Sequence, residues 1–216
     1  MFDLITLIKT GGYIGLFGIV FAESGLFVGF FLPGDSLLFT AGFLASQHVL
    51  DIRILLPLLF IAAVIGDNVG YVFGKRVGPK IFTRDNSLFF NRDNLVTAQN
   101  FFEKHGGKTI ILARFMPIVR TFAPILAGVG KMNYSMFLAY NLVGGFLWSA
   151  GLLLLGYFLG KNIPSADKYL LPIVILIIFL SISPSLFHIL KDKKSRDNLI
   201  LLLKTKIKQI KNLLFK

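Results

Sequence analysis

Apolar residues run along this chain in long stretches broken by single charges and by prolines and glycines; strand-like alternation is absent. Tyr13–Phe31 has about the 20 residues an α-helix needs to cross a bilayer, with Glu23 in its middle and Pro33-Gly34 just beyond it. Ser36–Ser46 is apolar but too short to cross. Ile54–Phe73 is long enough, although Asp67 interrupts its later half. Thr109–Gly130 carries Arg114, Pro117, Arg120 and Pro124. Tyr134–Phe158 is an uninterrupted span containing Trp148, and Leu170–Leu190 is a last one with Pro172 and Pro184 inside it. The pattern predicts an all-α polytopic membrane protein: one membrane-embedded domain over residues 1–190, then a tail over 191–216.

The breaks predict how two of these stretches are shaped. Pro117 and Pro124 each remove a helical hydrogen bond, which favours a re-entrant hairpin near residues 109–130. Pro33-Gly34 predicts a similar hairpin near residues 25–46. Basic residues set the orientation. Lys75–Lys108 contains seven Lys or Arg and Lys191–Lys216 contains nine, and cytoplasmic segments are enriched in these residues. Ile54–Phe73 then runs inward, Tyr134–Phe158 outward and Leu170–Leu190 inward, with a cytoplasmic C-terminus. The two hairpins enter from opposite faces, and FLPGD and FMPIVR are faintly alike at their breaks. Broken elements of opposed orientation at bilayer depth are a transporter architecture. In the tail, Leu199, Leu202, Leu203, Ile207, Ile210, Leu213 and Leu214 recur at helical spacing, with Lys204, Lys208 and Lys211 mostly between them. That pattern predicts an amphipathic basic helix on the anionic cytoplasmic leaflet. Asp3 spoils the positive start of a cleavable signal, so the N-terminal apolar segment is expected to persist.

Composition sharpens the class. The chain is 55% hydrophobic and 16% charged, with a net charge of +12, which excludes a disordered chain and a basic nucleic-acid binder. Cysteine is absent. The charges inside the apolar stretches matter more than the excess. Glu23, Asp35, Arg114 and Arg120 would each cost about 2.5–3.5 kcal/mol at a helix centre facing lipid, and about 10–14 kcal/mol together. They must face inward, pair, or line a wet cavity. As a site, the two arginines can hold a phosphate through their planar donor forks, and the two acids can exchange a proton. As structure, the four can simply pair and lock the hairpins together. Asp67, Tyr71 and Asn141 are further candidates for the cavity wall. Gly66, Gly70, Gly74 and Gly78 form a small-residue ridge for close helix contact.

Other signals fail. Gly107-Lys108-Thr109 resembles the end of a phosphate-binding loop, but Phe102 stands where its first glycine belongs. Pro184-Ser185 near His188 lacks the other blocks of a lipid phosphatase. The three histidines are too scattered to hold a metal. No enzyme chemistry, cofactor or metal is expected.

The stretch FAESGLFVGFFLPGDSLLFTAGFLA, then GDNVGYVFGKRVG, then RFMPIVRTFAPILAGVGKMNYSMFLAYNLVGGFLW and GYFLG, resembles the DedA family, most closely its DedA-proper branch. This is the bacterial branch of the superfamily of SNARE-associated Golgi and VTT-domain proteins, and the resemblance covers about residues 13–160. It implies an inner-membrane protein with two facing re-entrant hairpins. It also implies a lipid-carrier transporter linked to the proton motive force, with undecaprenyl phosphate the leading cargo. Its essential acids match Glu23 and Asp35, and its paired arginines match Arg114 and Arg120. The expected function is a proton-linked flippase of an anionic lipid. The alternatives are a phospholipid scramblase, or a membrane-organising protein whose buried charges are only structural. Expected partners are the lipid, protons and the bilayer, with a homo-oligomer left open and nucleic acid excluded.

Overall fold

The computed structural model of the chain describes residues 4–25, 32–81, 104–162, 172 and 176. Six helices, and no strand among the described residues, make up its regular structure: α1 (Leu4–Gly25), α2 (Gly34–Ser46), α3 (Ile52–Ile81), α4 (Lys108–Ala113), α5 (Pro117–Val129) and α6 (Tyr134–Asn162). The fold is all-α. Of the predicted span Leu170–Leu190 only residues 172 and 176 are described, and the tail 191–216 lies outside the described residues.

Two helices are long and apolar enough to cross a membrane, Ile52–Val77 within α3 and Tyr134–Asn162. Both extend the spans read from the sequence by several residues. Their exposed faces are apolar: Ile54, Ile61, Ile65, Val69 and Val72 on α3, and Val143, Phe146, Leu147, Leu155 and Phe158 on α6. An exposed apolar surface of this extent is the face a membrane helix offers to lipid.

The remaining helices are shorter or kinked. α1 is kinked at Gly12, whose φ of 53° is easy only for glycine, and is described as far as Gly25. α2 starts after Pro33. In the second broken region, α4 stops at Ala113 and α5 begins at Pro117. Met116, the residue before that proline, is extended at φ −118°, ψ 105°, because proline disfavours helical geometry in its predecessor. Pro117 then opens α5, where its missing N–H costs nothing.

Each break leads into a short helix that packs on a long one, α2 on α6 and α5 on α3. Both crossings are glycine-lined on the two sides. A Cβ on Gly42 would strike the carbonyl of Leu153, and one on Gly156 that of Phe39; Gly74 and Gly128 stand likewise against the carbonyls of Ile125 and Tyr71. Gly66 and Gly70 abut α1 and α5, so the described part of the predicted glycine ridge is a packing surface. The start of α3 is capped by the Asp51 carboxylate, which accepts from Arg53 N–H at 2.8 Å, while Asp51 N–H donates to the Tyr13 hydroxyl of α1 at 2.8 Å.

The packing leaves two apolar clusters. One gathers Val20, Leu37, Leu38, Leu59, Ala63, Trp148 and Leu153 with their neighbours. The other is Tyr71, Ile110, Ala127, Met132 and Phe137. On α3 Asp67 falls between Ala63 and Tyr71, and on α6 Asn141 falls between Phe137 and Trp148. The seam between the clusters holds buried polar side chains, Asp67 and Asn141 among them.

Candidate functional site

The seam is built from the two breaks. At the end of α1, Glu23 is 1% exposed. Its Oε1 accepts the Gly34 N–H at 3.1 Å, supplying the cap that Pro33 cannot give α2. A Cβ on Gly34 would fall on the Glu23 carboxyl group, so only glycine lets the two meet. Asp35 follows in the first turn of α2, where the helix dipole favours a carboxylate.

From the second break, Arg120 projects out of the first turn of α5. Its Nη1 donates to Asp35 Oδ1 and its Nη2 to Glu23 Oε1. One guanidinium therefore joins both acids of the first break to the second. Pro124 has no N–H for the Arg120 carbonyl, so this turn of α5 also carries a released backbone acceptor.

Arg114 caps the end of α4 and turns elsewhere. Its Nη2 meets Asp67 Oδ2 at 2.5 Å and Asn141 Oδ1. The Asn141 amide is set by its own donation to Val64 O at 3.2 Å. Asp67, Arg114 and Asn141 are all buried and bind α4 to both long helices. Between the two arginines stands Trp148. Its ring centroid is 4.9 Å from Arg120 Cζ and 5.9 Å from Arg114 Cζ, and its Nε1 donates to Asp35 Oδ1 at 2.8 Å.

All four charges picked out by desolvation cost thus meet in one place. Asp67 and Asn141 join them through Arg114. Asp67 is buried and paired, not directed toward an interface. Tyr71 does not reach the seam: its hydroxyl donates to Met132 O at 2.5 Å, and its ring stacks on Phe137 at 4.5 Å in the second apolar cluster. With Asp67 counted, three acids face two arginines and the group carries a formal −1, where the four alone sum to zero. Glu23 Oε2 and Arg120 Nε are buried with no hydrogen-bond partner.

Trp148 joins the site although the sequence pattern does not single it out. The available signal is its position: it is the chain's one tryptophan and lies near the middle of a clean span, whereas tryptophan in membrane proteins concentrates at the interfaces. Among the described residues no group of three or more His, Cys, Asp or Glu is placed to hold a metal ion.

Two membrane-length helices around a buried, charged interior are the make-up of an integral membrane protein. Comparisons with known proteins agree. The VTT domain model matches residues 32–158, which include every residue of the seam except Glu23. The chain is 48% identical to Protein DedA of Escherichia coli over 85% of its length and 84% of that protein. It is 46% identical to an uncharacterized membrane protein of Mycobacterium leprae over 78% of its length and 75% of that protein. With the inner membrane protein YqjA of Escherichia coli it shares 35% identity over 76% of its length and 79% of that protein. The chain belongs to the DedA family of VTT-domain membrane proteins. No solved structure matches it.

Proposed function

We propose that the chain is a transporter, not an enzyme, that moves an anionic lipid between the leaflets of a bacterial inner membrane under the proton motive force. Undecaprenyl phosphate, recycled for envelope synthesis, is the leading cargo. In this reading the segments near residues 25–46 and 109–130 are re-entrant hairpins entering from opposite faces, and the basic tail lies on the cytoplasmic leaflet.

The observation that carries the reading is Arg120 held by Glu23 and Asp35 together. A phosphate and a carboxylate use the same fork of N–H donors, so a lipid phosphate competes with the two acids for Arg120. Two carboxylates and one guanidinium leave a surplus negative charge, which low-dielectric surroundings penalise and a proton removes. Protons on Glu23 and Asp35 therefore free Arg120 for the phosphate, and losing them returns it. The Arg114, Asp67 and Asn141 group favours the structural reading for its own half of the seam: its charges cancel locally, and its amide is tied to α3. We assign the phosphate to Arg120 first and give Arg114 a supporting field.

The test is a reconstituted translocation assay comparing undecaprenyl phosphate with phospholipids at two pH gradients. Translocation of undecaprenyl phosphate that follows the gradient is expected. Gradient-independent movement of phospholipids would instead make the protein a scramblase. The paired exchange Glu23→Arg with Arg120→Glu separates transport from a purely structural role. With Asp35→Asn added, so that no acid faces the reversed pair, a structural ion pair keeps its stability on reversal, whereas a phosphate site loses transport.

A further inference from the structure

The seam contains one aromatic group that touches both arginines. Trp148 is 3% exposed, and its indole N–H is spent on Asp35 Oδ1 at 2.8 Å, the same oxygen that Arg120 Nη1 engages. Its ring faces both guanidinium groups at cation–π distance, with Arg120 the nearer. A tryptophan that only packed the core would satisfy its N–H on a backbone carbonyl or leave it near an interface.

We propose that Trp148 is the positioning residue of the Arg120 site, setting how firmly Asp35 holds Arg120 against an incoming phosphate; this rests on the anionic-lipid reading above. The physical reason lies in the shared oxygen. Donation from Nε1 draws charge from Asp35 Oδ1 and weakens its grip on Arg120. The ring face meanwhile holds the guanidinium in place whether its donors meet carboxylate or phosphate. Trp148 thereby narrows the difference between the empty and occupied states. Without the N–H, Asp35 binds Arg120 more tightly and phosphate competes less well.

The variant Trp148→Phe keeps an aromatic face and loses the N–H. In proteoliposomes it is expected to raise KM for the lipid phosphate by about tenfold, the equivalent of one hydrogen bond to a charged group, and to raise KM more than it lowers the maximal rate. Trp148→Leu, which removes the ring as well, should lower both. If wild type translocates lipid phosphate and Trp148→Phe has an unchanged KM, Trp148 only packs, while the transport reading stands. If wild type translocates no anionic lipid, the transport reading falls.

The inference keeps an independent check in that case, because Trp148 is the only tryptophan and its emission reports on this site alone. Dodecyl phosphate titrated into the purified, detergent-solubilised chain is expected to change Trp148 emission saturably, and Arg120→Ala to abolish the response. Emission that stays flat with wild type overturns the proposal, whatever the variants do in liposomes.

Discussion

Two arginines six residues apart, on either side of one proline break, are used in opposite ways. Arg114 faces one acid and one amide, and its side chain and that of Asp67 are each 5% exposed. Arg120 faces two acids, and the Asp35 side chain beside it is 17% exposed. The first group is locally neutral and fixed from three helices. The second is over-supplied with carboxylate, lies across two backbone breaks and keeps an open edge. The difference teaches that a buried charge is a fastening when its partners cancel it. It becomes a candidate working part when its partners compete for it.

The largest effect should come from the open half. Arg120→Ala is expected to cut lipid translocation on the order of 100-fold or more, as both charged hydrogen bonds are lost, while the chain still inserts in the membrane. Near-normal translocation would erase the distinction between the two arginines. The closed half should respond in stability instead. Arg114→Ala leaves Asp67 buried and unpaired, and should cost about 3–5 kcal/mol, read as a fall in unfolding midpoint in detergent. The double change Arg114→Met with Asp67→Leu removes both charges and should recover most of that loss. A double variant as unstable as the single one would show that Asp67 and Arg114 do more than hold each other.

A smaller effect compares the scaffolds of the two breaks. Gly42→Val and Gly74→Val each push a side chain into a facing carbonyl, and each should cost about 3 kcal/mol as an overpacked contact. Gly15→Ala, with open space at its Cβ, is the control and should be neutral or slightly stabilising. Gly42→Val should disturb translocation more than Gly74→Val, since α2 carries Asp35. The smallest change is at His48, which ends α2 at φ 59° while Val49 N–H returns to Leu44 O at 3.1 Å. Glycine favours that left-handed position, so His48→Gly should gain up to about 1 kcal/mol. It should leave transport alone.

Much of this was readable before any fold was known. The two long helices follow from long apolar runs, and the second break follows from a proline that forces Met116 out of helical geometry. The four charges of the site follow from desolvation, since a charge in an apolar run must find company. The identity of that company was not legible. Arg120 reaches partners 85 and 97 residues away, and local pattern contains nothing about which of two nearby arginines meets which acid. The partition between Arg114 and Arg120, and the recruitment of Asp67 to the former, are properties of helix crossings. The kink at Gly12 was legible in principle from the Gly11-Gly12 pair, yet the surrounding apolar run masks it.

The lengths of the two short helices have a consequence of their own. α2 and α5 each contain 13 residues, which makes each about 20 Å long at 1.5 Å per residue. The hydrocarbon layer is about 30 Å thick. In the proposed opposed arrangement, each helix starts inside the membrane and ends at its own surface, so each reaches past the midplane. Asp35, second in α2, and Arg120, fourth in α5, are thereby carried to the same level. The helices act as matched depth gauges: deleting one turn, about 5 Å, from either would withdraw its charge from that level. A headgroup leaving either leaflet would then face paths of unequal length to the guanidinium.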